Sequence, residues 1–352
     1  MSFLFNRTKK KRKNITKKKQ LKKRVKKTQK KLRVIQDSRK YSDTNYPYRN
    51  HTKKQAVANF LKLKEAAKKD LSSKSLTGNI TVDYGTEKAR VKTKYRNKSN
   101  LERWKDPKSR KKMIRFAKRL QQYDIDNKKV DPGPRISIER AISMQWGTIN
   151  TMRPAAALNV YKKFKAKRVL DFTAGWGARM IAAAALDIDY IGIDSNKSLE
   201  PGYNKIREAI KPHTKSNIKM IFKKAEKVDF SKLKYDLVFT SPPYEYLEVY
   251  EGMENYEGTK KIKQPYSAKL IKEKDAEKFY TDFMIPTLKQ AYKYLPKNKY
   301  ICLNIPDLMY EKIAKLWKKC DDKIEYVITK RIGSNVSKSD RRGSEYIYIW
   351  QK

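Results

Sequence analysis

The chain has 352 residues, with 86 Lys and Arg against 37 Asp and Glu, two His and two Cys, and a formal net charge of +49. No run of 18 apolar residues exists, the longest apolar stretch being Met180 to Leu186, so no membrane-spanning helix is expected. Cys302 and Cys320 cannot build a disulfide scaffold, and with only His51 and His213 a His-rich or Cys/His metal site is excluded.

The charge is uneven. Residues 1–130 hold 44 basic and 10 acidic residues, net +34, and residues 131–352 hold 42 and 27, net +15. So large an excess points to a polyanion, nucleic acid ahead of an anionic membrane surface. The opening residues lack the apolar core of a secretory signal, and the cysteine usage suits a reducing, intracellular compartment: cytoplasm, nucleus, or a viral factory or virion. Usage rich in Lys, Asn, Ile and Tyr hints at an AT-rich genome, such as that of a large virus or phage.

Taken in order, residues 1–36 carry 17 Lys or Arg and no acid. Like charges repel and little surface can be buried, so residues 1–49 read as a disordered basic arm that meets phosphates or serves as a targeting tail. Residues 53–70 and 109–122 have helical periodicity. Between them, residues 79–96 read as β-like, with Ile80, Val82 and Tyr84 alternating. Residues 50–136 are expected to form a small basic domain, closed by the breaker Asp131-Pro132-Gly133-Pro134.

Beyond it the texture changes. Strands are expected at Arg168–Asp171, Tyr190–Asp194, Ile218–Phe222, Tyr235–Phe239 and Tyr300–Ile305, with helices at Arg179–Leu186 and Ala276–Tyr294. A closing pair, Ile324–Ile328 and Glu345–Trp350, brings in one antiparallel strand. Strands alternating with helices predict an α/β fold, a mostly parallel sheet covered on both faces.

Asp171-Phe172-Thr173-Ala174-Gly175-Trp176-Gly177 lies between a strand and a helix, where doubly wound sheets bind ligands. Glycines there let the backbone approach a ligand closely. Asp194, at the end of the next strand, is placed to take ribose hydroxyls. The third Gly of a dinucleotide fingerprint is missing, and so is the Gly-Lys-Ser/Thr of a P-loop.

What remains resembles the loop of S-adenosylmethionine (SAM) methyltransferases. The resemblance implies a Rossmann-like seven-stranded sheet over residues 137–352 with a basic N-terminal extension. It implies that Asp171 holds the methionine moiety, that Gly175 and Gly177 pass under the cofactor with Phe172, Thr173 and Ala174, and that Asp194 binds the ribose. Thr173 stands where the family usually has its first Gly. In the loop after the third strand Lys224 stands where an Asp is common, and Glu226 is the substitute for the adenine contact. Arg153-Pro154, upstream of the first strand, matches a further cofactor motif of the family.

Thr240-Ser241-Pro242-Pro243-Tyr244 follows the fourth strand. Two prolines fix the backbone and remove two N–H donors, leaving a rigid lip rich in acceptors. Ser241 Oγ and the Pro242 carbonyl suit the two hydrogens of a planar amine, and Tyr244 suits stacking on its ring. Accepting those hydrogens stabilises positive charge developing on nitrogen in the transition state. Ser-Pro-Pro-Tyr resembles the motif of DNA amino-methyltransferases. The resemblance makes Ser241, Pro242, Pro243 and Tyr244 catalytic and makes DNA the partner, N4 of cytosine being favoured over N6 of adenine. The alternatives are an RNA or tRNA amino-methyltransferase, and a DNA-binding packaging protein with a vestigial methyltransferase domain. No metal and no membrane enter this reading. Glu245, Glu248, Glu251, Glu254 and Glu257 read as a solvated face or a lid. The stretch from Arg331 to Ser344 is read as a phosphate contact.

Overall fold

The computed structural model describes residues 45–95, 98–243, 277–327 and 344–352. Residues 1–44 of the arm, Tyr244, the acidic run that follows it, and residues 331–343 lie outside the described residues. The chain divides into two compact units: Met1–Pro47 with Asn100–Thr148, and Tyr48–Ser99 with Ile149–Lys352.

The larger unit opens with helix α1 (Lys53–Ala66). Its N-terminus is closed by a capping box in which the Thr52 hydroxyl accepts from the Gln55 amide and the Gln55 side chain accepts from the Thr52 amide. Helix α2 (Asn79–Lys92) follows, then a short antiparallel pair, β1 (Lys94–Tyr95) and β2 (Lys98–Ser99). The β-like expectation for residues 79–96 is thus corrected to a helix over Asn79–Lys92, with strand at Lys94–Tyr95. Thr81, Val82 and Thr86 are buried at helical spacing, and the helix packs through Gly85. A Cβ on Gly85 would stand 2.4 Å from the Gly202 carbonyl oxygen, so two backbones meet where no side chain fits.

The smaller unit is helical. It comprises α3 (Asn100–Lys105), α4 (Pro107–Asn127) and α5 (Gly133–Gln145). Trp104, Met113, Ala117, Ile138, Ala141 and Ile142 form its core. The Asp131–Pro134 breaker is a turn between its two long helices, where the Asp131 carboxylate accepts from Gln121 Nε2 at 2.8 Å and from the Gly133 amide at 3.0 Å.

The rest of the larger unit runs α6 (Pro154–Lys163), β3 (Arg168–Asp171), α7 (Ala178–Ala185), β4 (Asp189–Ile193), α8 (Glu200–Ile210), β5 (Ile218–Ile221) and β6 (Leu237–Thr240). A π-helical turn at Phe279–Met284 then leads into α9 (Ile285–Tyr294), β7 (Tyr300–Ile305), α10 (Asp307–Leu316), β8 (Asp322–Val327) and β9 (Ser344–Gln351). The seven long strands form one sheet in the order β5-β4-β3-β6-β7-β9-β8. All neighbours pair in parallel except β9, which is antiparallel to β7 and β8. The expected fold, α/β with seven strands and mostly parallel, is the one observed.

Both faces of the sheet are covered, as apolar strands such as Leu237–Thr240 require. Val169, Leu237 and Phe239 face a core shared with α1, α2, α6, α7 and α8. Leu170, Val238 and Leu303 face a second core with α9 and α10. The 48–99 segment is therefore built into one face of the sheet through Phe60, Leu63 and Val82.

Candidate functional site

Four parallel strands, β5, β4, β3 and β6, deliver their carboxyl ends to one edge of the sheet. Chain order reverses between β3 and β6: from β3 the sheet grows through β4 and β5 on one side and through β6 and β7 on the other. That switch point is where open α/β sheets form a ligand crevice. The Asp171–Gly177 loop leaves β3 there and Ser241 leaves β6, so the two motifs become neighbours although about 65 residues separate them in sequence.

The two are tied by hydroxyls. Thr240 Oγ1 donates to Asp171 Oδ1 at 2.7 Å and accepts from the Thr173 amide at 3.1 Å. A short bond joins it to Thr173 Oγ1. One hydroxyl has one proton, so with the Thr240 proton on Asp171 the Thr173 hydroxyl is the donor in that bond.

Asp171 is fully buried. Its Oδ2 accepts from Arg179 Nε at 2.6 Å and from the Tyr190 hydroxyl at 2.5 Å. Its Oδ1 takes Thr240 and, at 3.4 Å, the Thr173 amide. Arg179 also donates through Nη2 to the Thr173 carbonyl. Burial works against the charge of Arg179, but Asp171 beside it outweighs burial and the guanidinium stays charged. Burial pushes the hydroxyls of Tyr161, Tyr190 and Tyr203 well above their ordinary range, so all three are neutral donors. Unpartnered, a buried charge costs several kcal/mol, and this arrangement supplies the partners.

Gly175 and Gly177 have φ of +61° and +88°, the left-handed region that favours glycine. A Cβ on Gly175 would stand 3.7 Å from the Thr173 carbonyl oxygen and 3.9 Å from Arg179 Nη2, ordinary contact distances, so it is the left-handed φ rather than crowding that favours glycine there. The loop is clamped on both sides. The Tyr203 hydroxyl of α8 donates to the Gly175 carbonyl at 3.0 Å, and the Thr86 hydroxyl of α2 to the Trp176 carbonyl at 3.2 Å. The Ala174 amide donates to the Ile193 carbonyl at 2.9 Å, and Phe172 is buried edge-on to Phe283.

Asp194 follows β4 directly. Its Oδ2 accepts from the Gly175 amide at 2.7 Å and its Oδ1 from the Asn196 amide at 2.8 Å. Burial raises its pKa to about 6, against the pull of those two amides. Each oxygen keeps a lone pair for a further donor.

Glu226 sits half-buried in a 3-10 turn after β5, at the same sheet edge. Arg153 caps the N-terminus of α6, and its Nη1 donates to the Lys74 carbonyl at 2.8 Å. Pro154 is the first residue of that helix and packs beneath Gly78. After β6, Ser241 is half-buried, Pro242 buried and Pro243 half-buried. Tyr244 lies outside the described residues.

The loop thus fits the ribose end of SAM: a carboxylate with spare lone pairs beside a glycine backbone in the left-handed conformation. The methionine end differs from what the resemblance implies, since the Asp171 carboxylate already accepts four donors from the protein. Arg179, Tyr190, Thr240, Tyr203 and Thr86 are the residues that sequence reasoning did not single out. Arg179 left one signal, a lone charge in the helix Ala178–Ala185, whose other residues are Ala, Met and Ile. Among the described residues no group of three or more His, Cys, Asp or Glu is placed to hold a metal.

No family model matches the sequence, and no curated protein matches it. Solved structures with a similar fold include a Listeria monocytogenes protein assigned to the class I S-adenosylmethionine-dependent methyltransferases. It is 13% identical, with a TM-score of 0.38 over 84% of this chain and 88% of its own. TrmN from Thermus thermophilus is 13% identical, with a TM-score of 0.34 over 63% and 68%. An rRNA methylase from Streptococcus thermophilus is 10% identical, with a TM-score of 0.34 over 58% and 99%.

Proposed function

We propose that this chain transfers a methyl group from S-adenosylmethionine to an exocyclic amine of a nucleic-acid base, with N4 of cytosine in DNA as the first reading ahead of N6 of adenine. The observation that carries the proposal is the junction at the switch point, where the Thr173 and Thr240 hydroxyls bind the glycine loop to the strand end that opens Ser-Pro-Pro. Group transfer needs donor and acceptor held within a few ångströms in fixed orientation, and this junction fixes the two loops against each other.

When bound, SAM supplies an electrophilic methyl group on a sulfonium. Asp194 would accept the ribose hydroxyls with the lone pairs that Gly175 and Asn196 leave, and the Gly175–Gly177 backbone would lie beneath the cofactor. Asp171 acts inside the protein, holding Thr173, Thr240 and Arg179. Ser241 Oγ and the Pro242 carbonyl accept the two N–H bonds of the target amine. These bonds strengthen as nitrogen becomes positive, so their effect falls on the transition state. An exocyclic amine in a duplex is stacked and paired, so the base must be flipped out or presented single-stranded.

The test is mass spectrometry of nucleosides from DNA and from RNA, each incubated with the full chain and isotopically labelled SAM. Labelled N4-methylcytosine in DNA is expected. Label in adenine would move the target base, and label in RNA alone would move the substrate to RNA. Label in neither, with SAM binding absent by calorimetry, would overturn methyl transfer and leave a nucleic-acid-binding protein.

A further inference from the structure

Helix α4 of the smaller unit has two unlike faces. Arg110, Met113, Ala117, Gln121 and Asp124 are buried, and the core they join includes Ile138, Ala141 and Ile142 of α5. Asp124 is paired there with Arg140 and Lys128, so the acid on this face is already neutralised. The opposite face carries Lys108, Lys111, Lys112, Arg115, Lys118 and Arg119, all exposed except the half-buried Lys118. Among the described residues none of the six makes an ion pair with a carboxylate. At roughly 100° per residue they fall within an arc of about 120°, and Lys108 and Arg119 stand roughly 16 Å apart along the axis.

Six like charges within three turns repel one another, and a polyanion lying along the face relieves that repulsion. We propose that this face of α4 is the docking surface for the phosphate backbone of double-stranded DNA. A point anion would need the donors to converge, and here they are strung out along the helix as phosphates are along a strand. The helix, roughly 31 Å long and 10–12 Å across, has the calibre of the B-form major groove, about 12 Å wide. The major groove of A-form RNA is too deep and narrow to admit it. Charges strung along one face suit contacts to phosphates, which position the duplex rather than specify its sequence. It rests on the reading that the substrate is DNA, and it adds where the duplex is held.

The test uses the full chain, a fluorescent 30-base-pair DNA duplex and an RNA duplex of the same sequence. Lys108, Lys112, Arg115 and Arg119 are replaced by Gln together. A control replaces the exposed Lys53, Lys54, Lys62 and Lys69 by Gln, removing the same charge from α1 and the residues after it. Each phosphate contact contributes about −0.9 to the slope of log affinity against log salt. The α4 variant should flatten the DNA slope by up to about 3.6 and weaken binding at 0.1 M salt by at least ~10-fold. The control should do markedly less. Equal losses in the two variants, or an unchanged slope in the α4 variant, overturn the surface. A larger loss on RNA than on DNA overturns the choice of duplex. Lys112→Glu alone gives the same reading with less risk to folding, and SAM calorimetry on each variant confirms an intact larger unit. If the wild-type chain methylates no DNA yet the α4 variant alone flattens the slope, DNA methylation falls and the docking surface stands.

Discussion

Replacing Thr240 by Val keeps the shape of the side chain and exchanges its hydroxyl for a methyl group. The structure gives three bonds to lose: a donation to the buried Asp171 carboxylate at 2.7 Å, an acceptance from the Thr173 amide at 3.1 Å, and the link to the Thr173 hydroxyl. A hydrogen bond to a charged group contributes about 1.5–3 kcal/mol and a neutral one about 0.5–1.5. The Thr173 amide keeps only its 3.4 Å contact with Asp171, and the Thr173 hydroxyl must find a new acceptor. Together these place the loss of stability at about 2–4 kcal/mol, read as a shift of the urea midpoint at unchanged slope. Thr240 also joins the cofactor loop to the strand end before Ser241, so methyl transfer should fall more in kcat than in KM for SAM. Thr240→Ser restores the hydroxyl and should recover most of both. A Val variant as stable and as fast as wild type would refute the junction. A Ser variant as damaged as Val would show that packing of the methyl group, not the hydroxyl, is what matters.

Three further outcomes are expected. Asp194→Asn should weaken SAM binding at least ~10-fold, since a carboxamide offers one acceptor where the carboxylate offers two. In the wild type, calorimetric SAM affinity should fall as pH drops through about 6 and Asp194 takes up a proton. Stability should move the other way: because the folded pKa is raised, this group's contribution is present below about 4 and lost as pH rises through about 6, and Asp194→Asn should abolish that dependence in urea titrations. Gly85→Ala places a methyl group 2.4 Å from the Gly202 carbonyl oxygen and 2.5 Å from Ile206, so thermal unfolding should show a loss of about 1–3 kcal/mol, with Ser in place of Gly no better. Ser241→Ala should lower single-turnover methyl transfer roughly ten- to thousand-fold while leaving SAM affinity near wild type.

The sheet was legible because buried parallel strands are written in continuous apolar runs. Arg168–Asp171 and Tyr300–Ile305 begin and end where the pattern says, and the other five strands differ by a residue or two at their ends. The N-terminal region was less legible, for a physical reason. Helix α2 buries Thr81, Val82, Asp83 and Thr86, half-buries Ala89 and touches α8 through Gly85, so its inward stripe is made mostly of small and polar residues. Hydrophobic periodicity does not register such a stripe, whereas Ile80, Val82 and Tyr84 stand out and alternate like a strand. The helix forms because its threonines find acceptors, Thr81 on the Ala56 carbonyl and Thr86 on the Val82 and Trp176 carbonyls.

At the site, sequence displayed residue types but not which of them spend their bonding capacity on one another. Asp171 reads as a ligand-binding acid only through the resemblance to the SAM methyltransferase loop. Arg179, eight residues on, lies in the first turn of α7 and takes that carboxylate from within. Thr173 reads as a departure from glycine, and the departure has a consequence: its side chain supplies the hydroxyl that meets Thr240 from the neighbouring strand. A glycine there would leave Thr240 with one partner fewer, and a valine at 240 would leave Thr173 with none of its cross-strand bonds. The three residues therefore form one device, with Arg179 holding Asp171, Asp171 holding Thr240, and Thr240 holding the loop. Asp194, whose carboxylate accepts from the Gly175 and Asn196 amides, keeps capacity to spare for a ligand.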